Sequence, residues 1–340
     1  MSVSYLLRYQ WVFRIPGANG QPPRAGPEVE PWDSSAGQAS ALGSRIMQVH
    51  EFELLETIYQ ANNALPGRVL IPPGDDLGAV AIGDQLLLMG VDQVADGVHL
   101  DLANTSVEKV GHKAIARSLS DVAAMAARPI GLVAGAMLPR GFDTDHAERL
   151  FEAMRRTAAN HDCPLVGGDL SIWDRPLVLS VTVFAEPDGI DPVLRAGARR
   201  GDAIYVTGQL GGSVTSGYHL EFEPRITLAR QLARDPNTRP HCMIDLSDGL
   251  ARDLGHLCSG AIVEASSLPL RHGVGSWQEA VGDGEDYELL FTSSAAQMPR
   301  KIGPVPITRI GTVTDHDCLQ IRLTNGSMAN LIGRGWEHHG

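Results

Sequence analysis

Carboxylates recur in this chain at the ends of apolar runs and beside glycine. Asp75 and Asp76 sit in the turn PPGDD, Asp92 follows the run Leu86-Leu-Leu-Met-Gly-Val91, and Asp121 lies inside the apolar stretch 114–127. Further on come Gly167-Gly168-Asp169, Asp245 and Asp248 in IDLSD, and Gly284-Glu285-Asp286. An unpaired carboxylate is costly to remove from water, and only Lys109, Lys113 and Arg117 lie between Asp76 and Asp121. Divalent cations are therefore the natural partners, and an all-oxygen ligand set favours magnesium over zinc. Glycine beside the acids leaves backbone N–H groups open to anionic oxygens, so the pattern suits a metal-bridged polyphosphate. Each Gly-Asp pair alone is an ordinary turn. Their recurrence carries the chemical reading.

Composition narrows the alternatives. The 340 residues carry 28 Lys+Arg against 40 Asp+Glu, a formal charge of −12, which argues against a nucleic-acid surface. The four cysteines form no CxxC pair, and His241-Cys242 and His256-x-Cys258 read as structural. No stretch offers the roughly 20 apolar residues that a membrane-spanning helix needs. Arg8, Gln10 and Arg14 break the N-terminal apolar residues, so no secretory signal forms and a cytoplasmic location is expected. The chain has no GxxxxGK[ST] loop and no HRD or DFG kinase set. Gly208-Gln-Leu-Gly-Gly-Ser after a strand lacks the GxGxxG spacing of a dinucleotide site.

Strands and helices alternate around these acids. Residues 1–45, rich in Gly, Pro, Ala and Ser, read as a flexible extension, with Met47 a candidate start. A helix is expected from His50, on the spacing of Phe52, Leu55, Ile58 and Tyr59. Strands follow at 69–71, 78–82 and 85–91, the last two joined by a Gly83-Asp84 hairpin turn. A helix from Thr105 or Ser106 to Ala127 precedes a strand at 131–138, and Asp143 caps a helix through Asn160. Strands at 164–169 and 177–185 lead into the turn-rich segment 186–202, which marks a domain boundary. Beyond it come strands at 203–208, 261–265, 286–292 and 307–313, a helix at 226–234, and a strand-to-helix unit at 243–257. The fold class is α+β (mixed α/β), with a first domain over 46–186 and a second over 187–340.

Seven stretches occur in one order: GDD (74–76), VDxxxDGVHL (91–100), KAIARSLSDVAAMAA-P (113–129), VGGD (166–169), VTGxLGGS (206–213), IDLSDGLARDL (244–254) and GEDYELLFT (284–292). This order resembles the thiamine-monophosphate kinase family, of the superfamily of aminoimidazole ribonucleotide synthetase and selenophosphate synthetase. The resemblance implies an N-terminal domain with a mostly antiparallel sheet that forms a homodimer through a β-barrel-like arrangement, followed by a C-terminal α/β domain. It also implies ATP- and magnesium-dependent phosphorylation of thiamine monophosphate, using several magnesium ions. Carried over by motif, the metal ligands fall on Asp76, Asp92, Asp121, Asp169, Asp245 and Asp248, with Asp121 and Asp248 catalytic. ATP contacts fall on Gly168, Asp169, Arg195 and Ser247, and acceptor contacts on His99, Glu285 and Trp336. The chain departs from the family at Gly90-Val91, where hydroxyl residues are usual, and at Leu170-Ser171, where two Thr are usual. Two alternatives stay open: a related ATP-using enzyme with another small acceptor, and a binding protein without turnover.

Overall fold

The computed structural model describes residues 65–294 and 298–331, together with Leu54, Thr57 and Ile58, which are helical. The extension 1–45, the rest of the helix expected from His50, and Trp336 lie outside the described residues. The first sheet comprises β1 (Val69–Ile71), β2 (Gly78–Ile82), β3 (Gln85–Ala95), β4 (Arg128–Pro139), β5 (Leu165–Trp173) and β6 (Val178–Glu186). Their order is β1-β2-β3-β6-β4-β5, antiparallel except for β4 with β5. The expected Gly83-Asp84 turn joins β2 to β3, with Ile82 opposite Gln85 and Gly83 at φ +60°.

One face of this sheet is apolar. Along β6, Leu179, Val181, Val183 and Ala185 alternate inward, as period-2 patterning requires. Helices α1 (Val107–Ala124) and α2 (Thr144–Asn160) pack together beside it. Asp143 caps α2 by accepting the N–H of His146 at 2.9 Å. The two helices come close at Gly111, where a Cβ would lie 2.6 Å from the carbonyl oxygen of Leu150. Helix α1 stops at Ala124 rather than Ala127, because Ala126 turns left-handed (φ +54°) and Arg128-Pro129 already belong to β4. A register shift between Pro129 and Gly131 absorbs the proline.

The second sheet holds β7 (Ala203–Thr207), β8 (Cys242–Asp245), β9 (Ala261–Glu264), β10 (Leu289–Ser293), β11 (Lys301–Ile302), β12 (Val305–Val313), β13 (Leu319–Arg322) and β14 (Met328–Asn330). The main path runs β14-β13-β9-β12-β7-β10-β8, with only β13 and β9 parallel, and β11 pairs with β12. Its helices are the single turn α3 (Ser213–Ser216), α4 (Ile226–Arg234), α5 (Leu250–Leu257) and α6 (Trp277–Gly282). β10 begins at Leu289, later than expected, because Glu285 (φ +63°) and Tyr287 (φ +49°) break the extended run. The short α6, β11, β13 and β14 carry too few residues for a readable pattern.

Helix α1 is central, and one continuous core explains why. Ile115 and Leu119 of α1 pack in the same cluster as Leu132 and Val181 of the first sheet, Leu228 and Leu232 of α4, and Met243 and Phe291 of the second sheet. A second cluster, including Leu246, Leu250, Leu254 and Ile310, lies within the second half. The described residues accordingly fall in one compact unit, although the first sheet ends at Glu186 and the second begins at Ala203. The architecture is mixed α and β with mostly antiparallel sheets, as expected. No helix among the described residues is long and apolar enough to cross a membrane.

Candidate active site

Three aspartates from three elements converge. Asp76 comes from the turn before β2, Asp121 from the last turn of α1, and Asp245 from the end of β8, and their carboxylate oxygens lie within 4.8 Å of one another. Local bonds set each of them. Asp75 accepts the N–H of Asp76 at 3.0 Å and that of Arg195 at 3.1 Å, which fixes the turn. The Arg195 guanidinium meets Asp76 Oδ1 at 2.7 Å, and Ser120 Oγ donates to Asp245 Oδ2 at 2.6 Å. Asp76 Oδ2 is buried with no hydrogen-bond partner among the described residues. Burial, with neighbouring carboxylates, pushes Asp76 up to about 7; burial is also the main cause that raises Asp245 to about 6 and Asp121 well above the usual carboxylate range. Arg195 offsets only part of the cluster's negative charge, and the cluster's hard oxygen donors fit a divalent cation such as magnesium.

Asp92 sits beside this group and engages differently. Arg117 Nε meets Asp92 Oδ1 at 3.1 Å, and Asp92 Oδ2 is buried without a hydrogen-bond partner among the described residues. The glycine two residues earlier has a packing reason: a Cβ on Gly90 would lie 2.6 Å from Cδ2 of Leu77, which is fully buried next to Asp76.

The motifs IDLSDGLARDL (244–254) and GEDYELLFT (284–292) are one construction. Leu289 pairs with Asp245 across β8 and β10, and beyond that pair the loops stay strapped. Leu246 N–H donates to the Glu288 carbonyl at 2.8 Å, Tyr287 N–H to the Leu246 carbonyl at 2.8 Å, and Glu285 N–H to the Ser247 carbonyl at 2.7 Å. Asp253 Oδ2 accepts the N–H groups of Asp248 at 3.2 Å and Gly249 at 3.1 Å, holding the start of α5. A Cβ on Gly284 would lie 2.7 Å from the Ser247 carbonyl oxygen, so this crossing admits only glycine. Asp286 is buried, accepts Gly211 N–H at 2.8 Å and pairs with Arg271 at 3.0 Å, so it anchors the 208–213 turn. Burial pushes it up to about 7.

A cavity of about 680 Å³ opens alongside, with His99, Arg117, Ser247, Asp248, Glu285 and Tyr287 on its wall. Glu285 meets the fully buried Lys113 at 2.6 Å, and the same ammonium donates to the His99 carbonyl at 2.8 Å. Burial pushes Lys113 down from its ordinary value. His99 Nδ1 accepts the N–H of Ala95 at 3.1 Å, which leaves its proton on Nε2. Tyr287 stacks on Phe222 with ring centroids 4.0 Å apart, supporting the wall from behind.

Of the residues singled out by sequence, the structure thus gathers Asp76, Asp121 and Asp245, with Asp92 and Arg195 beside them. His99, Ser247, Asp248 and Glu285 are placed on the adjoining cavity. Gly168 and Asp169 are exposed on β5, the edge strand, and Asp169 is not one of the three clustered acids. A side chain at 168 would collide with the Ala134 carbonyl of β4. Sequence reasoning treated Lys113 and Arg117 only as scarce cations, whereas each pairs with a site carboxylate. Their spacing from Asp121, 113-117-121, places all three along one face of a helix and was a legible signal. Ser120 and Tyr287 carried none.

Comparison with known proteins follows the same lines. Residues 74–186 match the model of the AIR synthase related protein, N-terminal domain. Thiamine-monophosphate kinase of Rhodopirellula baltica is 34% identical over 295 residues, covering 80% of this chain and 92% of that protein. The Mycobacterium tuberculosis thiamine-monophosphate kinase is 31% identical over 299 residues, covering 79% and 86%. A solved structure of AaThiL complexed with AMPPCP and TMP superposes with a TM-score of 0.71 at 26% identity, over 85% of this chain and 97% of that one. With the motifs in order, a relative 34% identical over 80% of the chain, and the fold matched over 85% of it, the chain belongs to the thiamine-monophosphate kinase family.

Proposed function

We propose that this protein transfers the γ-phosphoryl group of ATP to thiamine monophosphate, giving thiamine diphosphate and ADP, with magnesium as the metal. The observation that carries this is the position of the Asp76-Asp121-Asp245 cluster beside a cavity of about 680 Å³, large enough for a small organic phosphate. The likeness to a kinase structure holding AMPPCP and TMP supports the same pair of substrates. Asp76, Asp121 and Asp245 would hold magnesium, which would supply neutralising charge to the phosphates in an in-line transfer. Asp92, Asp169 and Asp248 complete the metal-ligand set, and Asp121 and Asp248 act closest to the transfer. Gly168, Asp169, Arg195 and Ser247 hold the nucleotide, and His99, Glu285 and Trp336 hold the acceptor. The acceptor's phosphate oxygen is already ionised at neutral pH, so the chain needs no strong general base.

The protein functions in the cytoplasm as a homodimer, with 46–186 and 187–340 as its two domains. Support for the dimer comes from the exposed apolar residues Val166, Leu170 and Ile172 on edge strand β5 and Val91 on β3, since an apolar edge needs covering. The direct test is incubation with ATP, magnesium and thiamine monophosphate, followed by chromatography for thiamine diphosphate. Pairing with Lys113 reduces the pull of Glu285 on a cationic ring, which favours a second reading, a different small phosphate as acceptor. ATP turnover with other phosphates but not with thiamine monophosphate would select it.

A further inference from the structure

We propose that Arg117 is the residue that recognises the acceptor's phosphate, and so separates a phosphorylated acceptor from the corresponding free alcohol. This rests on the acceptor-kinase reading above and assigns its specificity to one side chain.

Among the described residues lining the cavity, Arg117 is the only Lys or Arg, whereas Asp101, Asp248 and Glu285 are acidic. A phosphate entering that space meets three carboxylates and one permanent cation. The nearby Lys113 does not serve, because it is fully buried and already held by Glu285 and the His99 carbonyl. Arg117 is also held in place. Its Nε donates to Asp92 at 3.1 Å, its Nη1 to the Gln93 carbonyl at 3.1 Å, and its side chain is 20% exposed. Among the described residues its Nη2 has no hydrogen-bond partner. A guanidinium presents five N–H donors in a rigid fork, so two anchored nitrogens leave a pre-oriented third for an anionic oxygen. The placement also suits transfer. Arg117 lies one helical turn before Asp121 on α1, and residues four apart are neighbours on one helix face, so a phosphate bound there lies on the side of the acidic cluster.

A role confined to neutralising Asp92 gives a different signature. The test is calorimetric binding of thiamine monophosphate, and separately of thiamine, to the full chain in magnesium with AMPPCP present. The expected result for Arg117→Gln is thiamine monophosphate binding weakened roughly 10- to 100-fold, as for loss of a charge-assisted hydrogen bond, with thiamine binding unchanged. AMPPCP affinity should stay within about threefold, an allowance near half of 1.4 kcal/mol per decade. Arg117→Lys should recover only part of the loss, because a point charge cannot serve Asp92 and the phosphate in the fork geometry. If Arg117→Gln does not fold, Arg117→Lys, which keeps a charge beside Asp92, is measured alone, and its discrimination between the two ligands is read in the same way. Unchanged thiamine monophosphate binding in these variants overturns the assignment. So does weakening of AMPPCP and both thiamine compounds together. Wild-type protein that binds no thiamine monophosphate overturns the acceptor reading itself, and this assignment with it.

Discussion

Replacing Asp121 by Asn should stabilise the metal-free protein while removing its response to magnesium and nucleotide. The three carboxylates have oxygens within 4.8 Å of one another. At an effective dielectric of about 20, two charges at that distance repel by about 3 kcal/mol. Asp121 faces two such partners, and Arg195 and Arg117 offset part of the repulsion. A net gain of roughly 1–3 kcal/mol remains, or about 1–5 °C in Tm for a chain of this size. The rise of Asp76 from 3.8 to about 7, with burial the main cause and neighbouring acids adding to it, reports the same strain. Because these pKa values are raised on folding, the metal-free native state holds extra protons between about pH 4 and 7. Its stability therefore falls as pH rises through that window. The advantage of Asp121→Asn is larger at pH 8 than at pH 5. Scanning calorimetry at both pH values, in chelator and then in magnesium with AMPPCP, reads both effects. A variant that melts lower than wild type in chelator at pH 8, yet gains the same stabilisation from magnesium-nucleotide, would refute the reasoning.

Other substitutions test neighbouring parts of the site. Glu285→Gln should raise KM for thiamine monophosphate and leave the ATP KM nearly unchanged. It should also lower stability by about 1–3 kcal/mol, since buried Lys113 loses its counter-charge; steady-state kinetics and urea unfolding check the two parts. Adding Lys113→Met to that variant should recover most of the lost stability, because an apolar pair replaces a broken buried ion pair. Equal urea midpoints for the single and double variants would contradict this. Gly90→Ala should cost about 1–3 kcal/mol, because its Cβ would press on buried Leu77 2.6 Å away, a loss visible as a lower melting temperature in chelator.

The aspartates were legible because type and spacing survive without coordinates. Asp76, Asp92, Asp121 and Asp245 each follow an apolar or glycine-bounded run, and local chemistry fixes such strand ends and turns. The main strands and helices up to Glu186 were legible for the same reason, since alternation along β6 and the Asp143 cap of α2 are short-range properties. The short elements of the second half escaped, as α6, β13 and β14 owe their conformation to neighbours rather than to pattern. Pairing was the other hidden layer. Nothing local says that Lys113 will meet Glu285, that Arg117 will hold Asp92, or that Asp286 will turn inward to Gly211 and Arg271 while adjacent Glu285 faces the cavity. Those outcomes depend on how α1 threads between two sheets and how the 284–288 segment, with two left-handed residues, is strapped to 246–247. The sequence by itself determined which groups could hold metal and phosphate. Tertiary structure decided which of them carry a protein counter-charge and which are left for a cation, because electrostatic partnership in a folded chain is set by distance and burial rather than by order along the backbone.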